Sequence, residues 1–269
     1  YPVLRVSRAP RIVSGSEHIM HRPPRRVALI ASWMPGNRAS RSLSELIRRA
    51  QECDYEVIVT FATNNAQVPQ WPHGIDSRVI VMTRPNVGYD FGSWAAAMHR
   101  FPQVAQSDYV LQVNDSLVGP FTGLQEVIHQ FETAPTPAWG LIDSRQHYPH
   151  LQSFFVGYKD GALAHPAMWD FWRDIRTERD KWTLISRYEI GLSRLLDDSG
   201  IGYRVMFPWQ DVVLAHQNPS VFGWRRLLDR GFPFVKREIL QRPPDEIRDA
   251  GDVAGEIQKR FGQAVAEWL

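Results

Sequence analysis

A single cysteine, Cys53, stands among 269 residues. No disulfide can close within the chain and no cysteine-rich metal site can form; a reducing compartment is compatible with that count. Charge bias is missing as well, with 31 Lys plus Arg against 29 Asp plus Glu and a formal net charge of +2. A broad electrostatic footprint for nucleic acid is thereby excluded. No apolar run approaches the ~18 residues that cross a bilayer, and no secretory leader is visible. The sequence also lacks a G-x-G-x-x-G turn, a Walker lysine, an H-E-x-x-H pair and a G-x-S-x-G elbow. The usual handles of dinucleotide binding, P-loop phosphate binding and common hydrolase chemistry are therefore absent. The chain opens on Tyr1, and flanking domains of a longer polypeptide are expected.

What is present is ordinary globular composition, 43% hydrophobic and 22% charged, enough for one large α/β domain or two small ones with a real core. Ten Trp and eight Tyr are many; most are core filler, and the rest offer flat faces to bases and sugar rings. Residues 1–25 carry scattered Pro, Arg and Ser with little periodicity and read as an irregular arm. From residue 26 onward, short apolar runs alternate with helical spacing. Val27–Ala31, Tyr55–Phe61, Arg78–Met82 and Tyr109–Val113 have the pattern of strands buried on both faces. Ser42-Leu43-Ser44-Glu45 has capping-box spacing ahead of Leu46, Ile47 and Ala50, and a helix is expected from about Phe91 to Arg100. A short helix between Asn65 and Ser77 stays open as an alternative.

That alternation argues for a parallel sheet with right-handed crossovers, whose ligands bind beyond the carboxyl ends of the strands. Four segments answer to this rule: Ser32-Trp33-Met34, Ala62-Thr63-Asn64, Arg84 to Asp90, and Asn114 to Gly119. In the second half Thr122 is placed to cap a helix bearing Leu124, Val127, Ile128 and Phe131. Ala138–Ile142 and Leu151–Gly157 read as strands; Pro166 opens a helix, and another runs from about Arg187 to Asp198. The last forty residues read as two amphipathic helices about Arg242-Pro243-Pro244-Asp245, the second filling 244–269.

The densest chemistry lies in Arg84-Pro85-Asn86-Val87-Gly88-Tyr89-Asp90-Phe91-Gly92-Ser93-Trp94. Its glycines permit close backbone approach, and a plain turn with a helix cap accounts for them and for Asp90. Such a turn does not account for Arg84, Asn86 and Tyr89 gathering at a strand's carboxyl end. Asn114-Asp115-Ser116 follows an apolar strand. A departing diphosphate needs its charge neutralised, and Asp115 is placed to hold a hard cation, Mg²⁺ or Mn²⁺, for that purpose; an Asx-turn fits the same residues. Glu189 could take the proton of an attacking hydroxyl, yet Ser186-Arg187-Tyr188-Glu189 is itself a capping box with Ile185 and Ile190 as staple. His216 stands in an irregular segment and joins Asp115 as a candidate metal ligand. His147 and His150 are a weak sign of an acceptor or metal contact, and Asp143 and Asp211 are reserve bases.

Several phrases, taken in order over about residues 27–243, resemble the rhamnan synthesis protein F family of bacterial polysaccharide assembly. They are the segment Arg84 to Trp94; Val113-Asn114-Asp115-Ser116-Leu117-Val118-Gly119-Pro120; His150-Leu151-Gln152-Ser153-Phe154-Phe155; and Arg187-Tyr188-Glu189-Ile190-Gly191-Leu192-Ser193. The fifth runs from Asn218-Pro219-Ser220 through Trp224 to Gly231-Phe232-Pro233-Phe234-Val235-Lys236-Arg237-Glu238. The resemblance implies a GT-A-like α/β domain over 26–243, a mixed, mostly parallel sheet flanked by helices. Its 26–120 half would take the donor nucleotide and its 121–243 half the acceptor. It implies an inverting glycosyltransferase using a nucleotide-diphosphate sugar, dTDP-rhamnose or another deoxyhexose nucleotide, on a glycan or lipid-linked glycan of the bacterial surface. Ser32, Asn64, Arg84, Asn86, Gly88, Tyr89, Asp90 and Asn114 would line the donor. Asn114-Asp115-Ser116 takes the place of an Asp-x-Asp metal motif but carries one carboxylate. Glu189 would be the base. A cytoplasmic location at the inner membrane face, with peripheral association, goes with that role. The rivals are a non-catalytic carbohydrate- or nucleotide-binding domain with a degenerate fold, and a glycoside hydrolase using a carboxylate pair.

Overall fold

The computed structural model describes residues 10–15, 22–33, 35–63, 67–178 and 180–269. Its strands are β1 (Arg11–Ser14), β2 (Arg26–Trp33), β3 (Glu56–Thr63), β4 (Ile80–Pro85), β5 (Tyr109–Asn114), β6 (Leu117–Val118), β7 (Ala138–Ser144), β8 (His150–Leu151), β9 (Phe155–Lys159), β10 (Tyr203–Phe207) and β11 (Val235–Lys236). The helices are α1 (Arg41–Glu52), α2 (Tyr89–Arg100), α3 (Gln125–Glu132), α4 (Pro166–Arg173), α5 (Lys181–Leu184), α6 (Ile190–Asp198), α7 (Pro219–Phe222), α8 (Trp224–Asp229), α9 (Arg237–Gln241) and α10 (Val253–Phe261).

One nine-stranded sheet runs in the order β1-β4-β3-β2-β5-β9-β7-β10, with β8 hydrogen-bonded to β7. The strands β4, β3, β2 and β5 are parallel, β9 lies antiparallel between β5 and β7, and β10 is parallel to β7. This is the mixed, mostly parallel α/β architecture expected of the chain. Residues 27–32 of β2 are buried without a break, so helices must cover both sheet faces. On one side α1 and α3 supply Leu43, Leu46, Ile47, Val127 and Phe131. On the other, α2, α4 and α6 supply Phe91, Trp94, Met98, Trp172, Leu192 and Leu196. Each such side chain contributes about 1.5–3 kcal/mol when fully buried. A satellite cluster of Val118, Val235, Trp224, Ile257 and Trp268 seats the C-terminal segment on the small β6–β11 ribbon.

Several expectations are corrected. The N-terminal arm is not irregular throughout, because β1 pairs antiparallel with the edge of β4, Arg11 opposite Thr83. Helix α1 starts earlier than expected, and its cap is Ser40, whose Oγ accepts from Leu43 N at 3.2 Å. Ser42 is buried and instead grips the backbone of Gly119, donating to its carbonyl at 2.8 Å and accepting from its N–H at 3.1 Å. Leu124, and not Thr122, stands at the start of α3, without a side-chain cap. The strand expected over Leu151–Gly157 breaks into β8 and β9. The C-terminal stretch holds α10 and short 3-10 turns, not one helix through 244–269. Among the described residues there is no helix between β3 and β4, and no helix long and apolar enough to cross a membrane.

Candidate functional site

The site grows from the tip of β5. Asn114 closes the strand, and its backbone N–H donates to Phe154 O at 3.1 Å. Its side chain works in two directions: Oδ1 accepts from Ser116 N at 3.0 Å, and Nδ2 donates to Asp90 Oδ2 at 2.7 Å. The first of these bonds is the Asx-turn, and it aims the next residue. Asp115 Oδ2 accepts from Ser32 Oγ, at the end of β2, at 2.6 Å. Turn chemistry and a presented carboxylate therefore coexist at Asn114-Asp115-Ser116. Burial pushes the Asp115 carboxyl up, against the pull of Ser32 and Arg237.

The loop between β4 and α2 brings Asp90 to the same place. Arg84 is buried and faces inward, donating through Nη1 to Ser93 Oγ at 3.2 Å and through Nη2 to the Val87 carbonyl. Burial pulls its guanidinium down to about 10. Arg84 thus fixes the loop from beneath, and Gly92 leaves the room for it: a Cβ there would collide with the Val87 carbonyl and stand 3.0 Å from Arg84 Nη2. Gly88 and Tyr89 both take left-handed backbone, φ 76° and 52°, which is uncommon for a bulky residue such as Tyr. The turn leaves Tyr89 50% exposed, and Trp33 at the tip of β2 is 45% exposed. Asn86 is half-buried in the same loop. The Asp90 carboxyl is pushed up to about 7, chiefly by burial and then by the charge of Asp115, while Asn114 and Lys236 pull the other way and Glu189 adds to the rise. Asp90, Asp115, Glu189 and Lys236 share one electrostatic neighbourhood.

Glu189 reaches that neighbourhood through a break in its helix. Asp180 caps the segment, accepting from Thr183 N and Thr183 Oγ1, both at 2.8 Å. The chain then runs through α5, a π turn over Ile185–Glu189, and α6. The capping-box reading of Ser186 and Glu189 is therefore wrong, because the helix has already begun upstream. Such π turns recur at functional sites. Glu189 Oε1 accepts from Ser153 N at 2.8 Å and Ser153 Oγ at 3.0 Å. Ser153 lies in the gap between β8 and β9, where Gln152 N donates to Ile142 O at 3.0 Å and Gln152 Nε2 to Asn218 Oδ1 at 2.9 Å. Because Phe154 O holds Asn114, the segment 152–154 ties Glu189 to the β5 tip.

Sequence reasoning missed Ser153 and a pair of cations. Lys236 lies opposite Leu117 in the β6–β11 ribbon. Its Nζ donates to Ser116 Oγ at 3.0 Å and sits 4.4 Å from the centre of the Phe154 ring. Arg237 N donates to Ser116 O at 2.9 Å, and Arg237 Nε to Asp115 O at 3.0 Å. Neither belongs to a motif with a known spacing; the only signal was their place in the phrase from Gly231 to Glu238.

The pattern of the rhamnan synthesis protein F family matches residues 62–265. The chain belongs to the rhamnan synthesis protein F family. Among its relatives is the virulence protein VirA of Vibrio anguillarum, 27% identical over 225 residues that cover 68% of this chain and 72% of that protein. Another is the uncharacterized protein y4gN of Sinorhizobium fredii, 26% identical over 157 residues, 56% of this chain and 40% of that protein. Among solved structures, a glycosyltransferase involved in glycosylating the major capsid of PBCV-1 aligns over 78% of this chain and 93% of its own, at 11% identity and a TM-score of 0.35.

This rhamnan synthesis protein F family member does not gather every expected residue. Asn64 and Met34 lie outside the described residues. His216 is exposed in the loop before α7. Asp143 accepts from Trp209 N at 2.8 Å, and Asp211 pairs with Arg230 at 2.6 Å, so both reserve bases hold structure. His150 Nδ1 is bonded to Tyr148 O at 2.7 Å, whereas His147 packs edge-on against Trp182, ring centres 4.6 Å apart. Among the described residues no group of three His, Cys, Asp or Glu is arranged to hold a metal ion. The donor set at the β5 tip, one carboxylate already bound by Ser32 and flanked by Arg237 and Lys236, does not fit a resident Mg²⁺ or Mn²⁺.

Proposed function

We propose that this protein is an inverting glycosyltransferase that moves a sugar from a nucleotide-diphosphate donor onto a bacterial surface glycan. Membership of a family named for rhamnan synthesis supports polysaccharide assembly, with a deoxyhexose nucleotide such as dTDP-rhamnose as donor and a glycan or lipid-linked glycan as acceptor. The observation that carries the reading is the convergence of Asp90, Asp115 and Glu189 beyond the strand ends, joined through Asn114 and the Ser153–Phe154 segment. This is where open α/β sheets bind ligands.

The donor lies across the tips of β2, β4 and β5, with Trp33 and Tyr89 offering aromatic faces to its nucleoside. Both bonds from Ser153 end on Oε1 of Glu189, and in this reading Oε2 takes the proton of the acceptor hydroxyl. The acceptor oxygen forms a bond to the anomeric carbon, the bond from that carbon to the diphosphate oxygen breaks, and its electron pair leaves with the diphosphate. The hydroxyl proton passes to Glu189. Attack opposite the leaving group inverts the anomeric centre, so a β-linked donor gives an α-linkage. In the cell the reaction sits at the cytoplasmic face of the membrane.

A thermal-shift screen of nucleoside diphosphates and nucleotide sugars tests the reading, because a ligand of the folded state raises apparent stability. Stabilisation by one base series, followed by sugar transfer to a glycan, is the expected result. Binding without turnover would leave a carbohydrate- or nucleotide-binding domain, and release of free sugar from a glycan without nucleotide would make it a hydrolase.

A further inference from the structure

We infer that Lys236 and Arg237 are a built-in diphosphate clamp: fixed side-chain cations take the leaving-group role expected of Mg²⁺ or Mn²⁺ beside Asp115. The inference rests on the glycosyltransferase reading and names how that site handles the departing charge.

Three observations carry it. The first is anchoring. Lys236 is paired in register with Leu117, and the Arg237 N–H is bonded to Ser116 O at 2.9 Å. Both cations are therefore carried on the backbone of the loop that presents Asp115, although they lie far from it in sequence. The short β6–β11 ribbon holds them there. The second is the state of Arg237. Its Nε is spent on Asp115 O at 3.0 Å, while its Nη2 is buried with no hydrogen-bond partner among the described residues. A buried guanidinium N–H is seldom left without an acceptor, and Arg forks match phosphate oxygens. Desolvation pulls this guanidinium below its usual range, the mark of a cation kept in poor solvent contact. The third is the setting of Lys236. Its ammonium donates to the Ser116 hydroxyl and lies over the Phe154 ring, and its charge is felt at Asp90. Positive charge thus stands between the donor-side carboxylates and the segment that holds Glu189.

In the transfer, the electron pair of the breaking bond stays on the diphosphate oxygen that leaves the sugar. Lys236 and the unpartnered Nη2 of Arg237 hold that charge, and the proton goes to Glu189, so charge and atoms balance without an added ion.

The test is calorimetric titration of the full chain with UDP, dTDP, GDP and the matching nucleosides, once in EDTA and once in Mn²⁺. One nucleoside diphosphate is expected to bind in EDTA. Lys236→Met should weaken it at least tenfold while changing nucleoside affinity less than twofold. Arg237→Lys, which keeps the charge but loses the fork, should weaken it severalfold with an unchanged far-ultraviolet spectrum and melting profile. Binding that needs Mn²⁺ and is equal in Lys236→Met overturns the clamp and leaves the glycosyltransferase reading standing. Binding in EDTA that is unaffected by either substitution also overturns it. No binding of any nucleoside diphosphate in either condition removes both.

Discussion

Replacing Glu189 by Gln separates a catalytic carboxylate from a structural one. The carboxylate accepts two hydrogen bonds through Oε1, from Ser153 N and Ser153 Oγ, and Gln can accept both through its amide oxygen. The change is from charge-assisted to neutral bonds. Bonds to charged groups contribute roughly 1.5–3 kcal/mol and neutral ones about 0.5–1.5 kcal/mol, so the folded state should lose on the order of 2 kcal/mol. At this chain length that lowers the melting temperature by roughly 4–8 °C. Catalysis should suffer far more, because removing a general base typically costs about 10²–10⁴ in rate, or roughly 3–5 kcal/mol of barrier. Donor binding should stay within about threefold. Asp180→Ala supplies the control, since Asp180 is the helix cap seen in the structure. Losing it should lower the melting temperature slightly and leave turnover near wild type. The measurement is initial rate of nucleoside diphosphate release, beside thermal melting of each variant. Retention of more than a third of wild-type turnover by Glu189→Gln would refute the base assignment. Equal losses of rate and stability in both variants would return Glu189 to a purely structural role.

The remaining expectations are shorter. Asp90, with its carboxyl raised to about 7 against an ordinary 3.8, binds its proton more tightly folded than unfolded, so its contribution to stability falls as pH rises from about 4 to about 7. Asp90→Asn keeps a side-chain oxygen for Asn114 and should raise the melting temperature at pH 8, with the gain shrinking toward pH 4; a pH-independent difference would contradict this. Gly92→Ala drives a methyl into the Val87 carbonyl and the Arg84 guanidinium, and urea titration should show a loss of about 1–3 kcal/mol, the usual cost of overpacking. Ser153→Ala removes one of the two donors to Glu189 and should lower turnover about tenfold while the backbone N–H keeps the carboxylate in place; unchanged turnover would show that Ser153 Oγ does not orient it.

The first half of the sheet was legible because both-face burial forces continuous apolar runs, and β2, β3 and β5 are such runs. Caps were misread for a local reason. Ser-x-x-Glu spacing occurs at Ser42 and again at Ser186, yet the caps are Ser40 and Asp180. Side-chain spacing cannot say where a helix starts when a polar residue slightly upstream serves equally well. Ser42 was recruited by a distant partner, Gly119, a contact that no window of sequence contains. The loop from Arg84 to Asp90 was legible as a unit, but Arg84 was read as facing ligand when its neighbours Val87 and Ser93 absorb it. Lys236 and Arg237 were illegible as site residues because their place depends on two-residue strands pairing across the chain, too short to leave a period.

The same pairing logic fixes the distance over which the chemistry must act. Strand β9 runs antiparallel to β5 with Phe155 opposite Val113, so the residue before β9 meets the residue after Val113, and Phe154 O accepts from Asn114 N. Ser153 is thereby set beside the β5 tip by the ladder itself, and Glu189 is set by Ser153. On the other flank, Leu117 opposite Lys236 sets the cations by a second ladder. In the proposed transfer, leaving-group charge and acceptor proton are handled by groups hung from two registers of backbone hydrogen bonds, neither of which can slip by one residue without turning its side chains to the opposite face. A site built this way has its polar groups in place before substrate arrives, which is the arrangement that gives electrostatic stabilisation of a transition state its strength.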